Sequence, residues 1–252
     1  FRVLTADPAP RDEPLDAALF QSMLSIDVGE LVEEEFIPML REQMGFEAPQ
    51  RRSERPGRRR PPAEFKVLVI GAGLTGLLAA IKLEEAGYNF EVIEKNPEVG
   101  GTWWENTYPG VAVDTPSHFY SYSFELNPNW SHYTPNGPEF QRYLLAVTEK
   151  YDLRRHVRFE TRVLGLEWDE GACEWLVTIA DATGEHVVRA GAVINAHGPV
   201  NRWSLPDIPG LDTFNGPVMH TAGWDSEVAL PLVEHAVHGA LLQNWRFRLC
   251  TR

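Results

Sequence analysis

The sequence is nearly devoid of cysteine: Cys173 and Cys250 are the only two. That excludes a disulfide framework and a cysteine-built metal site, and it suits a reducing, cytoplasmic compartment. Nor is there an apolar run approaching the ~20 residues of a membrane-spanning helix. The most apolar window, residues 67–81, is broken by Gly71, Gly73 and Gly76, so no membrane partner is expected. Basic residues are in deficit, with 23 Lys and Arg against 36 Asp and Glu and a formal net charge of −13. A surface this acidic repels polyanions, so nucleic acid is not expected either. No secretory leader pattern is visible. The chain opens on Phe1 rather than Met, and its true start is expected upstream.

What is present is concentrated after residue 64. Residues 65–70 form a short apolar run rich in β-branched side chains, the pattern of a buried parallel strand. Gly71-Ala72-Gly73-Leu74-Thr75-Gly76 follows, a G-x-G-x-x-G. An apolar helical pattern (Leu77, Leu78, Ala80, Ile81, Leu83) then runs to a stop at Gly87. Strand, tight turn and helix N-terminus are the context in which this motif holds a dinucleotide diphosphate. Gly71 permits the turn, Gly73 a close approach of phosphate, and Gly76 the packing of helix on strand. Free N–H groups and the helix dipole face the anion. A second strand, residues 89–94, ends on Glu94, placed to accept from a ribose hydroxyl. A carboxylate there repels a 2′-phosphate, so the ligand is FAD or NAD rather than NADP. The competing reading is a glycine-rich turn without a ligand.

The rest of the chain is read in order. Residues 14–24 and 28–44 are expected to be helices, with stripes Leu15, Ala18, Leu19 and Leu31, Val32, Phe36, Met39, Leu40. They make a small α-helical extension with an acidic face, a docking element or a homodimer contact. Residues 48–63 carry four prolines and six arginines without periodicity, a solvated tether. After Glu94 and Lys95, the pair Gly100-Gly101 allows a second close approach. Thr102 and Trp103 can contact a flat ring. Residues 105–124 form a long ordered loop, and such loops are usually functional. Asp114 lies there among small and apolar residues, either as an Asx turn or as a site residue. Residues 138–151 are expected to be a helix with Phe140, Tyr143, Leu144 and Val147 on one face. Residues 157–160, 163–168, 175–180 and 186–189 read as strands with a hairpin at Thr183-Gly184. Residues 192–196 read as another buried strand, with Gly198 beyond it. The fold class is α/β: a Rossmann-like domain, its parallel sheet carrying an inserted antiparallel meander, preceded by the helical extension.

The segment from Phe214 to Asp225 brings in a family. Phe214, Gly216, His220, Trp224 and Asp225 match F-x-G-x-x-x-H-x-x-x-W-[P/D], and the chain resembles the Baeyer–Villiger monooxygenases, class B flavin monooxygenases. Gly71, Gly73, Leu74, Thr75 and Gly76 correspond to the FAD diphosphate loop, and Glu94 with Lys95 to its ribose end. Gly100-Gly101-Thr102-Trp103-Trp104 looks like the loop at the flavin. Tyr108-Pro109-Gly110 followed by Asp114, then Tyr120 and Tyr122, matches a further family stretch. Val163 looks like the backbone contact to adenine. The helical preamble is most like the 4-hydroxyacetophenone monooxygenase type.

This resemblance implies FAD and NADPH as cofactors, and O2 and a ketone as substrates, with the preamble pointing to an aryl ketone. One oxygen atom is inserted next to the carbonyl to give an ester or lactone. Asp114 would orient an arginine beside the flavin, and His220 and Trp224 would act as hinge and positioning residues. The implied organisation is an extension at 1–47, a linker at 48–64, an FAD-binding domain at 65–212, an interdomain fingerprint at 213–225 and an atypical tail at 226–252. That tail holds no second G-x-G, so a truncated or frame-disrupted product without its NADPH domain is expected. Two rivals stay open: a noncatalytic FAD-binding or interaction module, and an N- or S-oxygenating flavin monooxygenase, against which Trp224-Asp225 speaks.

Overall fold

The computed structural model describes residues 16–44, 61–117, 119–199, 202–207 and 209–228. They fall into two compact units. One contains the described residues before 53 together with Ser121–Leu126, and the other contains the remainder. Most of the arginine-rich stretch, and the tail beyond residue 228, lie outside the described residues.

In the smaller unit, helix α1 spans Ala17–Val28. Asp16 caps its start, accepting from the Leu19 N–H at 3.2 Å, and Gly29 ends it with a left-handed φ of 83°. A short 3-10 turn at Glu34–Phe36 leads into α2, Ile37–Gln43. The second helix was expected from residue 28; instead Gly29 stops α1 and Pro38 starts α2 within its first turn, as the two residue types favour. The expected stripe is also displaced. Leu19, Leu31, Phe36 and Met39 are exposed, and the small core is Phe20, Leu24 and Ile37, with Val32 and Leu40 against it. A tight turn held by Ser25, whose hydroxyl accepts from the Val32 N–H at 3.0 Å, rotates the pattern off simple periodicity.

The larger unit is built on a four-stranded parallel sheet: β1 (Lys66–Ile70), β2 (Asn89–Ile93), β3 (Val157–Arg158) and β7 (Ala192–Asn195), in the order β3-β2-β1-β7. Between β3 and β7 the chain makes a separate antiparallel sheet of β4 (Arg162–Asp169), β5 (Glu174–Asp181) and β6 (Gly184–Ala190). This is the expected Rossmann-like α/β fold with a meander. Register explains why the two sheets pack. Leu68 pairs with Val193, and Ile70 with Ile93. Parallel neighbours point to one face, so Leu68, Ile93 and Val193 meet Val177, Ile179 and Ala190 from the meander in one core. Val67, Val69, Phe90 and Val92 project to the other face. Helix α3 (Leu74–Ala86) packs on β1 and β2, burying Gly76, Leu77, Ala80 and Ile81.

Two expectations about this unit need adjusting. Strand β7 is half-buried rather than buried, because it stands at the sheet edge. The loop expected over residues 105–124 gives up its first residue to a single helical turn, α4 (Thr102–Glu105). Helix α5 (Gly137–Lys150) buries the expected Phe140, Tyr143, Leu144 and Val147. Its start is set by Asn136, whose side chain accepts from the Glu139 N–H at 2.9 Å.

Candidate dinucleotide site

The chain leaves β1, crosses α3 to β2 on one side, and later returns as β7 on the other. Open sheets place ligands at this reversal, beyond the carboxyl ends of the strands. A cleft of about 790 Å³ opens there. Ile70, Gly71, Gly73, Leu74 and Thr75 line it from β1 and α3, and Glu94 and Lys95 from β2. Gly101, Thr102, Trp103 and Tyr120 line it from the following loop, Arg162, Val163 and Leu164 from the meander, and Asn195 to Pro199 from β7.

Local backbone geometry accounts for the glycines. Gly71 has φ +97°, and a Cβ on it would meet the Ala196 carbonyl oxygen at 2.8 Å. A Cβ on Gly76 would fall on the Gly71 carbonyl oxygen, so the third glycine is what lets α3 lie against the turn. Gly73 is different. A Cβ there meets only Gly101, its Cα at 3.5 Å and its N at 3.9 Å, ordinary contacts. The fold tolerates a side chain at 73, and only a ligand in the cleft would object. The N-terminus of α3, the end of a helix suited to anions, lines the same space through Leu74 and Thr75.

Glu94 is 3% exposed. One carboxylate oxygen accepts from the Ala72 N–H at 2.7 Å, inside the glycine turn, and the other from the Asn96 N–H at 2.9 Å. Its backbone N–H donates to Arg158 and its carbonyl accepts from Thr161, both at 2.9 Å. Glu94 therefore latches the turn, β3 and the meander entry to one another. Ionised oxygens have further lone pairs, so ribose hydroxyls can be accepted alongside. Lys95 is ion-paired with Glu105 at 2.8 Å. Asn96 Nδ2 donates to the same oxygen at 2.8 Å, which ties α4 to the end of β2.

At the other end of the cleft Trp103 packs edge-on to Tyr120, ring centroids 5.8 Å apart. Burial pushes the Tyr120 phenol above its ordinary value. The Trp103 hydrogen bond pulls it down, and the Asp114 charge adds to the rise. The fold thus favours the neutral phenol, whose own proton remains available for donation. That contribution is complete below the unfolded value near 10 and is lost as pH climbs through the higher folded one. Comparing ultraviolet pH titrations of the parent and Tyr120→Phe should place the missing phenolate signal above the ordinary tyrosine range. A signal inside that range would show the phenol to be solvated.

Val163 lines the cleft from the start of β4, beside a register shift between Val163 and Gly165. Four candidates do not line the cleft: Gly76, whose part is to let α3 lie against the turn, and Asp114, His220 and Trp224. Asp114 is exposed, accepting from the Thr115 hydroxyl at 3.3 Å, rather than enclosed among apolar neighbours. His220 is half-buried; its ring stacks on Trp203 with centroids 5.1 Å apart, and its Nδ1 accepts from the Ala222 N–H at 3.0 Å. That places the proton of a neutral ring on Nε2. Trp224 is half-buried one residue past the 3-10 turn that His220 caps. Sequence reasoning missed Gln141, which braces the Gly100-Gly101 turn from α5, and the Asn96–Glu105 tie. A lone amide at a helical position carries no local signal of such a role. Among the described residues no helix is long and apolar enough to cross a membrane, and no group of three or more His, Cys, Asp or Glu could hold a metal.

The NAD(P)-binding Rossmann-like domain profile matches residues 69–135. The chain is 42% identical over 170 residues to the FAD-binding monooxygenase tazF of Aspergillus terreus, a match spanning 66% of this chain and 30% of the relative. The chain is thus similar in sequence to an FAD-binding monooxygenase. A Baeyer–Villiger monooxygenase of Streptomyces coelicolor is 42% identical over 166 residues, 66% of this chain and 31% of its own. Among solved structures, OTEMO in complex with FAD and NADP aligns with a TM-score of 0.59 at 36% identity, over 66% of this chain and 32% of that one. The chain spans just under a third of the length of these proteins.

Proposed function

We propose that this chain carries the FAD-binding part of a Baeyer–Villiger monooxygenase, with residues 65–212 as the FAD domain and 213–225 as an interdomain fingerprint. Such an enzyme takes electrons from NADPH, activates O2 and inserts one oxygen beside a ketone carbonyl, yielding an ester or lactone. FAD, when bound, supplies that chemistry. The observation that carries the reading is the pair of glycine turns meeting at Gly73 and Gly101 beside a buried Glu94. Where a side chain at 73 costs the fold little, its absence is best explained by a ligand's approach.

Each residue then has a task. The α3 N-terminus and Gly73 hold the diphosphate, Glu94 accepts from ribose, and the Val163 backbone meets adenine. Gly101, Thr102, Trp103 and Tyr120 wall the ring end and exclude water from it. His220 fixes the 3-10 turn before Trp224, consistent with a positioning role rather than proton transfer. Asp114, outside the cleft, is assigned the orienting of an arginine beside the flavin. Trp224-Asp225 favours carbon over nitrogen or sulfur as the site of oxygenation, and the helical unit is the support for the 4-hydroxyacetophenone type.

The test is FAD uptake by the purified chain and by Gly73→Ala. The parent should acquire flavin absorbance and quench free flavin fluorescence. The variant should keep nearly the parent melting temperature yet bind FAD roughly 30–100-fold more weakly, the loss of one to two charge-assisted hydrogen bonds. A parent that cannot be reconstituted, or a variant binding equally well, removes the reading. In an enzyme that carries both nucleotide domains, NADPH, O2 and either a ketone or a tertiary amine should give ester rather than amine oxide, whereas this chain by itself is expected to bind FAD without turning over.

A further inference from the structure

Gln141 is nine-tenths buried on α5 and belongs to no motif. Its Nε2 donates to the Val99 carbonyl at 2.7 Å, a bond that is itself buried. Its Oε1 is buried and has no hydrogen-bond partner among the described residues. The amide lies against Gly100: a Cβ on Gly100 would fall on Oε1 and lie 2.7 Å from both Cδ and Nε2. Gly100 also has φ +125°. Glycine at 100 is required by its dihedral, and the Gln141 amide occupies the place a side chain there would take.

On its other side the turn is held by one bond, Gly100 N–H to the Ala72 carbonyl at 2.9 Å. A Cβ on Gly101 would come within 3.0 Å of Gly73 Cα, so the two glycine turns touch backbone to backbone. Without the amide, the buried Val99 carbonyl loses its donor and the 99–101 backbone loses its rear wall.

We propose that Gln141 is a positioning residue for dinucleotide binding: it clamps the second glycine turn against the first and so fixes the width of the cleft between Gly73 and Gly101. This deepens the FAD reading and rests on it for the identity of the ligand, but the clamp itself is a property of the chain alone. An orphaned acceptor is the residual cost of using a side chain long enough to reach Val99 from a helix 42 residues away.

The experiment compares the parent chain with Gln141→Leu, which keeps the volume but cannot donate, and with Gln141→Met, which adapts its shape should leucine fail to fold. Thr148→Val serves as a control; Thr148 is buried on the same helix and donates only to the Leu144 carbonyl, at 2.8 Å. Amide hydrogen exchange without FAD should rise about tenfold in residues 99–104 in both Gln141 variants, as expected for a local opening that has lost one hydrogen bond. Exchange in β1 and in α5 should not change, and the control should leave 99–104 at the parent rate. FAD affinity should fall about tenfold in the same two variants. Unchanged exchange at 99–104, a uniform rise across α5 and β1, or loosened exchange with undiminished FAD affinity would each overturn the proposal. Failure of the parent to bind FAD would count against the FAD reading only, because exchange decides the clamp without the ligand.

Discussion

Gly76→Ala should cost the chain both its fold and its ligand. The added Cβ lands on the Gly71 carbonyl oxygen and lies 2.9 Å from the carbonyl carbon. Both atoms are backbone, and Gly71 is anchored to the sheet by donating to Ile93 at 2.8 Å. No flexible side chain is present to give way, so α3 must lift from β1. That disturbs Leu77, Ala80 and Ile81, all fully or almost fully buried. Overpacking of this kind costs about 3 kcal/mol, or roughly 6–12 °C of melting temperature at this chain length. The same shift carries the helix N-terminus away from the cleft. Thermal melts and FAD titration should therefore fail together in Gly76→Ala and separate in Gly73→Ala. A Gly76→Ala chain that melts with the parent would show that the contact between turn and helix relaxes freely.

Glu94→Gln should produce the second large effect, for a reason motif spacing does not reveal. Both carboxylate oxygens accept backbone N–H groups, from Ala72 and Asn96. An amide offers one acceptor and one donor, so whichever way it turns, an NH2 faces an N–H at a position almost closed to water. The unsatisfied donor and the lost charge-assisted bond together cost about 2–4 kcal/mol, roughly 4–16 °C. FAD affinity should fall by at least about tenfold, through the displaced Ala72 N–H as much as through the ribose contact. If affinity falls while the melting temperature stays within about a degree, Glu94 is a ligand contact and not a latch.

Strand, turn, helix and second strand between Lys66 and Ile93 were legible because each rests on a local preference. β-branched residues fill a buried parallel strand, glycine takes the positive φ at 71, and apolar residues at helical spacing bury one face of α3. The meander was legible for the same reason, from alternation and the glycine at 184, whose φ is +122°. The extension was not. Its apolar residues are numerous enough to suggest several stripes, and the choice of Phe20, Leu24 and Ile37 over Leu19, Leu31 and Met39 was made by packing around the turn at Gly29. Asp114 looked enclosed because its sequence neighbours are small and apolar, yet adjacency along an irregular loop says nothing about which side faces water.

The amino-acid sequence by itself determined that a dinucleotide-type turn exists, where it sits and which strand ends flank it, since these depend on dihedral and burial preferences within about 30 residues. Only the tertiary structure decided what holds that turn in shape. Glu94 reaches back 22 residues to Ala72, and Gln141 reaches 42 residues to Val99. Such bonds join segments that become neighbours only after the sheet has assembled. Their strength comes from burial, which no single stretch of sequence possesses until the others have closed over it.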